Sequence, residues 1–315
     1  MNLKKTNRSV CFIDIDETHA GQRIDNFLLN YLNGVPKGHI YKIIRKGEVR
    51  VNKGRIRQTY KLSYGDRVRI PPISVMESPS RPSPGRSLQQ LIDESIVYED
   101  DYFIAINKPS GVAVHGGSGV SYGIIEAIRA LKAGQKFLEL VHRLDKDTSG
   151  CLLIAKKRTA LNTLQNTFRN RETDKRYLAL LCGHLPLSEK KVSVPLLREL
   201  LKTGDRVVRV DKEGKEAVSV FNPIEQFTHA TLSEIKILTG RTHQIRVHAQ
   251  YLGHCVAGDE KYGNFMCNKR LKEKGLKRLF LHASQISFKH PQNGAAMTLN
   301  APLSDDLENV LLALR

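Results

Sequence analysis

The run His142-Arg143-Leu144-Asp145-Lys146-Asp147-Thr148-Ser149-Gly150 sets a carboxylate among basic and hydroxyl groups and ends on glycine. Asp145 is the residue best suited to nucleophilic or general-base work. A cation as close as Arg143 offsets the desolvation that would otherwise protonate a partly buried acid, so such a group can stay ionised and reactive. Further on, Thr239-Gly240-Arg241-Thr242-His243-Gln244-Ile245-Arg246-Val247-His248 reads as a strand end, a cap and a helix start. Gly240 ends the strand, Thr242 is the expected cap, and Arg246 projects from the first turn or two of the helix. An arginine there can make a forked, bidentate pair with a carboxylate from elsewhere in the chain. Lys175-Arg176-Tyr177-Leu178-Ala179-Leu180 places a tyrosine at the opening of a strand. On spacing alone, Tyr177 reads as half-buried core.

Other groupings point away from metal or nucleotide chemistry. His142, His243, His248, His254 and His282 form neither a His-Glu-x-x-His helix nor a zinc-finger spacing, and His243 and His248 are five apart, where ligands on one helix face need i, i+4. They read as satisfied structural or RNA-contacting histidines, and no metal is expected. Gly116-Gly117-Ser118-Gly119 lacks the Gly-Lys-Ser/Thr that would make it a phosphate-cradling loop, so no nucleotide cofactor is expected either.

The elements that must position these groups fall into two parts. Ile24, Phe27, Leu28, Tyr31 and Leu32 mark one face of an amphipathic helix, and Ile40, Ile43 and Ile44 mark a second. Val49 and Val51, the turn Asn52-Lys53-Gly54, and Val68 and Ile70 describe two short strands. The stretch from Pro71 to Ser87, rich in proline and serine and without helical or strand period, reads as a semi-rigid linker. Beyond it, strands are expected around Phe103–Ile106, Gly150–Ala155, Tyr177–Leu181 and Ala230–Leu238, with helices over Ile124–Leu131 and Thr159–Arg171. Strands and helices are intermixed without regular alternation, which favours an α+β fold over a doubly wound sheet. The expected division is a small α/β domain over residues 1–70, a linker over 71–87 and a larger domain over 88–315.

Charge narrows the partners. The 315 residues include 50 Lys+Arg against 32 Asp+Glu, a formal net charge of +18, and a chain this basic most often meets a polyanion, nucleic acid first. Between Lys37 and Arg69 eleven residues are basic and two, Glu48 and Asp66, are acidic. On the polar faces of two small helices and a hairpin, Lys37, Lys42, Arg45, Lys46, Arg50, Lys53, Arg55 and Arg57 would form a phosphate-binding surface whose affinity falls steeply with salt. No run of about 18 apolar residues could span a bilayer, and the basic start with Lys4, Lys5 and Arg8 leads into no signal-like segment. A cytoplasmic protein without a membrane partner is expected. Five scattered cysteines, with no Cys-x-x-Cys pair, read as reduced thiols.

Taken whole, His142–Gly150 resembles the active-site segment of the RluA-type family of pseudouridine synthases. Lys175–Leu180 resembles the family's second motif, Thr239–His248 its third, and Asn107-Lys108-Pro109-Ser110-Gly111 its first. The stretches Leu252–Asp259, Tyr262-Gly263 and Leu281-His282-Ala283 are also family-like, although Cys255 stands where many members carry proline. The helix-helix-hairpin order with Arg45–Asn52 looks like the RNA-binding module shared with a small-subunit ribosomal protein, the alpha-L motif. The matches run from about Gly21 to Pro302 and cover both parts of the chain.

The resemblance implies a mixed, largely antiparallel catalytic sheet and isomerisation of uridine to pseudouridine without cofactor or metal. Val35-Pro36-Lys37 and Ala113–Gly119 point within the family to members acting on bacterial 23S ribosomal RNA. By the same resemblance Asp145 acts on the ribose, as nucleophile or as base, and Tyr177 holds the uracil and helps remove the carbon 5 proton. Arg246 is expected to pair with Asp145, and Arg143 to fill the gap left by a flipped-out uridine or to bind its displaced neighbour. A monomer is the default expectation. Two further classes stay open on the residues alone: a non-catalytic RNA-binding assembly factor, and a metal-dependent hydrolase.

Overall fold

Apolar spacing sets the elements of both units into which the chain divides, Met1–Ser83 and Pro84–Arg315. The computed structural model describes residues 6–7, 9–32, 35–74, 84–116, 122–200 and 206–315. Lys4, Lys5, Arg8, Gly117–Gly119 and residues 75–83 of the expected linker lie outside the described residues.

In the first unit the helix Ile24–Tyr31 buries Ile24, Phe27 and Leu28, and Leu32 closes the same face just beyond it. Tyr31, placed on that face by spacing, lies at its rim with its ring stacked on Phe27. The helix Lys37–Arg45 turns Ile40, Ile43 and Ile44 into the same core and leaves Lys37, Lys42 and Arg45 in solvent. A four-stranded antiparallel sheet runs in the order Cys11–Asp14, Arg67–Ile70, Arg50–Val51, Gly54–Arg55. Its hairpin turn puts Asn52 and Lys53 at φ 50° and 69°, the double left-handed geometry that matches the twist of paired strands. Asn52 anchors the turn by donating to Asp66 and accepting from the Arg67 amide.

The expected linker is shorter than its composition suggests. Ile73–Ser74 is a strand paired with Thr6–Asn7, and the helix Arg86–Glu94 has begun before Ser87. Two residues carry no readable period, and it is burial of Ile73 in the core that fixes the strand.

The second unit is built on a ten-stranded sheet. Its main path is Lys190–Ser193, Val218–Phe227, Ala230–Ile237, Asp174–Cys182, Leu281–Lys289, Ser149–Ala155, Phe103–Lys108, Ile96–Glu99. Ala296–Asn300 pairs with Leu281–Lys289, and Glu139–Leu140 with Ser149–Ala155. Among the described residues only one pairing is parallel, Ser149–Ala155 with Leu281–Lys289 through Ser149↔His282 and Gly150↔Ala283. The sheet is therefore mixed and largely antiparallel, an α+β architecture. The helices Ile124–Leu131 and Arg158–Arg169 cover it where the apolar spacing places them. Gly150 is required at the parallel junction: its φ is +111° and a Cβ there would strike the Ala283 backbone.

The five cysteines are not all the reduced thiols that their spacing suggests. Cys182 and Cys267, 85 residues apart, are joined as a disulfide between the strand Asp174–Cys182 and the helix Phe265–Glu273, while Cys11, Cys151 and Cys255 are free. The pairing is made by tertiary proximity, which sequence spacing does not report. Among the described residues no helix is long and apolar enough to cross a membrane.

Candidate active site

Asp145 sits in the loop that feeds the strand Ser149–Ala155. Leu144 is buried in an apolar cluster with Ile106, Leu138 and Leu152, which fixes the loop from below and leaves Asp145 half-buried and Arg143 exposed. The Thr148 amide closes the turn on the Asp145 carbonyl at 3.2 Å. The adjoining stretch is propped by the turn after Phe103–Lys108. Lys108 is fully buried and donates to the carbonyls of Pro109, Val112 and Lys146 at 2.8, 2.8 and 2.9 Å. The Gly111 amide bonds Lys146 O, and the Ser110 hydroxyl bonds Asp147 O. Burial pushes the Lys108 ammonium down to about 7, against the pull of the Asp147 and Asp145 carboxylates. Three carbonyls around one nitrogen nonetheless match the three donors of the charged form.

Tyr177 comes from the central strand Asp174–Cys182, at a point where the register with Leu281–Lys289 shifts between Arg176 and Leu178. The extra residue of that shift lies on Leu281–Lys289, so Tyr177 keeps the alternation of its own strand, and its ring packs between two apolar clusters. Burial first, then the Asp145 charge, then Cys151 hold the phenol far above its ordinary pKa. The resting group is therefore a neutral phenol, able to flank a base with its ring and to accept a hydrogen bond through its oxygen.

Arg246 occupies the third position of the helix Gln244–Tyr251 and is buried. Its fork goes to Asp259 rather than to Asp145: Nε meets Oδ2 at 2.6 Å and Nη2 meets Oδ1 at 2.7 Å. The expected pairing with Asp145 is not the one formed. A buried guanidinium needs a carboxylate of its own, and Asp259, equally buried, also accepts the Lys261 and Tyr262 amides. Burial, the largest single influence, would raise the Asp259 carboxyl, but the Arg246 hydrogen bonds and charge together with the Tyr262 and Lys261 amides hold the acid below its ordinary value. Arg246 still faces the pocket that holds Asp145, and it lies over the Tyr262 ring at 5.0 Å.

His243, not Thr242, is the residue that opens this helix, and it does so at φ 53° without a side-chain cap bond. The loop is held instead by buried Gln244, which accepts from Thr239 Oγ1 and the Arg241 amide and donates to Val218 O and Ser219 Oγ. The left-handed backbone turns the His243 ring toward the pocket. Nδ1 lies 2.7 Å from the Tyr262 hydroxyl and Nε2 lies 3.9 Å from Asp145 Oδ2. Burial lowers the His243 pKa, with the Asp145 charge opposing and Arg246 adding to the fall. From the sequence, Lys108, Gln244 and Asp259 carry no assigned role, and His243 stands only among the structural or RNA-contacting histidines. Their signal was weak: each sits inside a motif, but its partner lies in another segment.

The remaining histidines spend their rings internally. His142 Nε2 accepts from the Leu153 amide, and burial, then Lys175, push its pKa down to about 3. His248 meets Ser219 and Val194, His254 meets Cys182 O, and His282 meets Ser149 and Ala301. Among the described residues no three of His, Cys, Asp and Glu gather as metal ligands would.

Asp145, Tyr177 and Arg246 thus meet in one cavity of about 130 Å³, with Arg143, Thr148 and His243 on its wall and Leu144, Ile237, Ile245 and Leu281 as apolar lining. A small slot with apolar walls from Leu144, Ile237, Ile245 and Leu281 and several convergent polar side chains suits a planar heterocycle. In the first unit, Lys37, Lys42, Arg45, Lys46, Arg50, Lys53, Arg55 and Arg57 are all exposed. Lys46 lies 3.7 Å from Glu48, and Arg50 donates to Gly47 O. Two acids of this unit, Asp25 and Asp66, are buried, while Asp14, Asp16 and Glu17 are exposed. Asp25 is forked by Arg23 and bonded by the Tyr41 hydroxyl, and Asp66 accepts from Asn52, Tyr60 and the Ser63 amide.

The second unit thus gathers a carboxylate, a phenol and a guanidinium in one small slot, and the first carries a basic surface. The comparisons specify the class. Residues 102–251 match the family model described as RNA pseudouridylate synthase, and residues 22–68 match the S4 domain. Ribosomal large subunit pseudouridine synthase C of Yersinia pestis is 51% identical over 99% of this chain and 98% of its own. The protein of the same name from Escherichia coli strain K12 is 50% identical over 99% of each chain. The solved structure of human RNA pseudouridylate synthase domain containing 4 superposes with a TM-score of 0.61 at 26% identity, covering 72% of this chain and 95% of that one. The chain belongs to the RluA-type family of RNA pseudouridine synthases.

Proposed function

We propose that this protein converts uridines of bacterial 23S ribosomal RNA to pseudouridine, with Asp145 as the residue that acts on the sugar. The observation that carries the assignment of residues is the convergence of Asp145, Tyr177 and Arg246, from three separate segments, on a single base-sized pocket. Near-full-length identity of about half with proteins named for the ribosomal large subunit supports the choice of RNA. A stacked uridine cannot reach such a pocket, so it is flipped out, at a cost of a few kcal/mol. Arg143, exposed at the pocket edge, fills the gap or holds the displaced neighbour.

The bond between nitrogen 1 and the ribose breaks, the uracil turns in the pocket, and carbon 5 joins the same ribose carbon. The carbon 5 proton leaves and nitrogen 1 is protonated, so no oxidant, metal or nucleotide is consumed. Asp145 attacks the sugar directly or removes a ribose proton to begin the step. Tyr177 flanks the base with its ring and, as a neutral phenol, relays the carbon 5 proton by releasing its own hydroxyl proton as it takes the new one. Arg246, anchored on Asp259, places positive charge beside the Asp145 carboxylate. The first unit binds RNA through the exposed cations from Lys37 to Arg57 and adds binding energy that takes no part in the chemical step. The chemistry in residues 88–315 needs no second chain, and the protein works as a monomer in the cytoplasm.

Tritium release from carbon-5-labelled uridine in 23S RNA, without metal or ATP, tests the reading. Release by wild type that Asp145→Asn abolishes while RNA binding persists is the expected result. Tight binding with no release from intact RNA, fragments or assembly intermediates would replace it with a non-catalytic RNA-binding role. A primary isotope effect with deuterium at ribose carbon 2 would assign Asp145 as base; its absence favours the nucleophile.

A further inference from the structure

The pocket that holds Asp145 has a larger neighbour. A cleft of about 580 Å³ shares Gly240 and Arg241 with it, and the cleft wall carries Arg169, Arg171, Lys175 and Arg241 with no carboxylate. Strand alternation explains the placement. Asp174 and Arg176 point to one face, where they meet Lys236 and Glu234, so Lys175 and Tyr177 share the other. Along a strand, two residues span roughly 7 Å, which sets Lys175 one short step from the base-holding tyrosine.

The cations are not equally free. Arg171 is paired with Glu216 at 2.8 Å, and Arg241 donates to the Glu216 carbonyl. Arg169 donates only to neutral Asn166, and the Lys175 ammonium lies 5.8 Å from the Phe168 ring centre with no carboxylate at ion-pair distance among the described residues. Lys175 is half-buried, and burial followed by the Arg171 charge lowers its pKa. The one opposing charge, Asp174, is shared with Lys236 and Arg176, and a partly desolvated cation so weakly offset is unfavourable until an anion arrives. On the other side of the pocket, a cleft sharing His243 and Arg246 mixes its lysines with Asp147, Asp259 and Glu260, so its own acids already offset them.

We propose that the cleft behind Gly240 and Arg241 is a phosphate subsite, in which Lys175 and Arg169 hold the backbone phosphate adjoining the flipped uridine. The inference rests on the assignment of RNA as substrate. Such an ion pair positions the strand and carries no base information. It therefore acts on substrate capture and leaves the chemical step alone.

The test uses an oligoribonucleotide in which wild type forms pseudouridine, with one linkage at a time within two nucleotides of the target made neutral as methylphosphonate. Full-length wild type is compared with Lys175→Met/Arg169→Gln, and with Arg169→Gln alone should the double variant lose its native urea transition. The double variant is expected to raise KM about tenfold with kcat nearly unchanged, and to flatten log KM against log salt by about 0.7 for each phosphate no longer neutralised. At one linkage, neutralisation should weaken wild type but not the double variant; Arg169→Gln alone should show the same loss in part. Additive effects at every linkage, or a fall in kcat at constant KM, overturn the subsite. Absence of product with wild type on every RNA is a different failure, seen before any variant is made, and it removes the parent reading as well.

Discussion

The two units hold charge in opposite ways. In the first, the cations from Lys37 to Arg57 stand exposed while Asp25 and Asp66 are buried beneath them as hydrogen-bond anchors. In the second, the decisive charges are few and enclosed, and they lean on one another: Arg246 on Asp259, Lys108 on three carbonyls, His243 between Tyr262 and Asp145. A solvated surface of like charge binds a polyanion by summed, salt-screened increments, none of them indispensable. An enclosed site has no such redundancy, since removing one member leaves its partner desolvated and unpaired.

That contrast is open to direct attack. Asp145→Asn should lower the rate of pseudouridine formation by a factor of at least about 10⁴, as loss of a nucleophile or base does elsewhere, with RNA affinity nearly unchanged in a filter-binding titration. A comparable loss of affinity would mean that pocket and surface are not separable. Asp259→Ala should destabilise the second unit by about 3–5 kcal/mol in urea unfolding, because it leaves buried Arg246 without its carboxylate.

The same pair gives a pH signature. The Asp259 carboxyl is held below its ordinary 3.8 in the folded protein. Its stabilisation is therefore complete above that ordinary value and is lost as pH falls through the lowered native one. Unfolding free energies followed into acid should show this loss in wild type and lack it in Asp259→Asn.

Smaller effects come next. Tyr177→Phe keeps the ring and removes the oxygen, so kcat should fall about 10²-fold with KM little changed. A rise in KM alone would restrict the tyrosine to holding the base. Neutralising Arg45 and Arg55 together should weaken RNA binding severalfold and reduce the salt slope by about 0.7–0.9 for each phosphate left without its cation, with kcat intact. If one of them proves indispensable, the picture of an additive surface fails.

Legibility in the sequence followed the range of the interactions. The helix Ile124–Leu131 was readable to the residue because its apolar positions repeat with the helical period and all but its last two meet the core. The helix at Arg246 was misread by one position at its start, where His243 takes a left-handed backbone that no side-chain cap announces. The partner of Arg246 was hidden altogether. Asp259 lies thirteen residues on, in a loop with no period, and only folding shows that it outcompetes Asp145 for the guanidinium. The Cys182–Cys267 bridge and the short strand Ile73–Ser74 were missed for the same reason, since both depend on neighbours remote in the chain.

By itself, the sequence determined which chemical groups are present, their order, the two-part layout and the excess of positive charge, because composition and local periodicity are properties of the chain before it folds. Only the tertiary structure decided which carboxylate Arg246 would bind, that Lys108 would brace the Asp145 loop, that burial beside Asp145 would push the Tyr177 phenol far above its ordinary pKa, and which cations would be left weakly matched. Those outcomes depend on desolvation and on distances of a few ångströms between segments far apart in sequence, and neither exists until the sheet has formed.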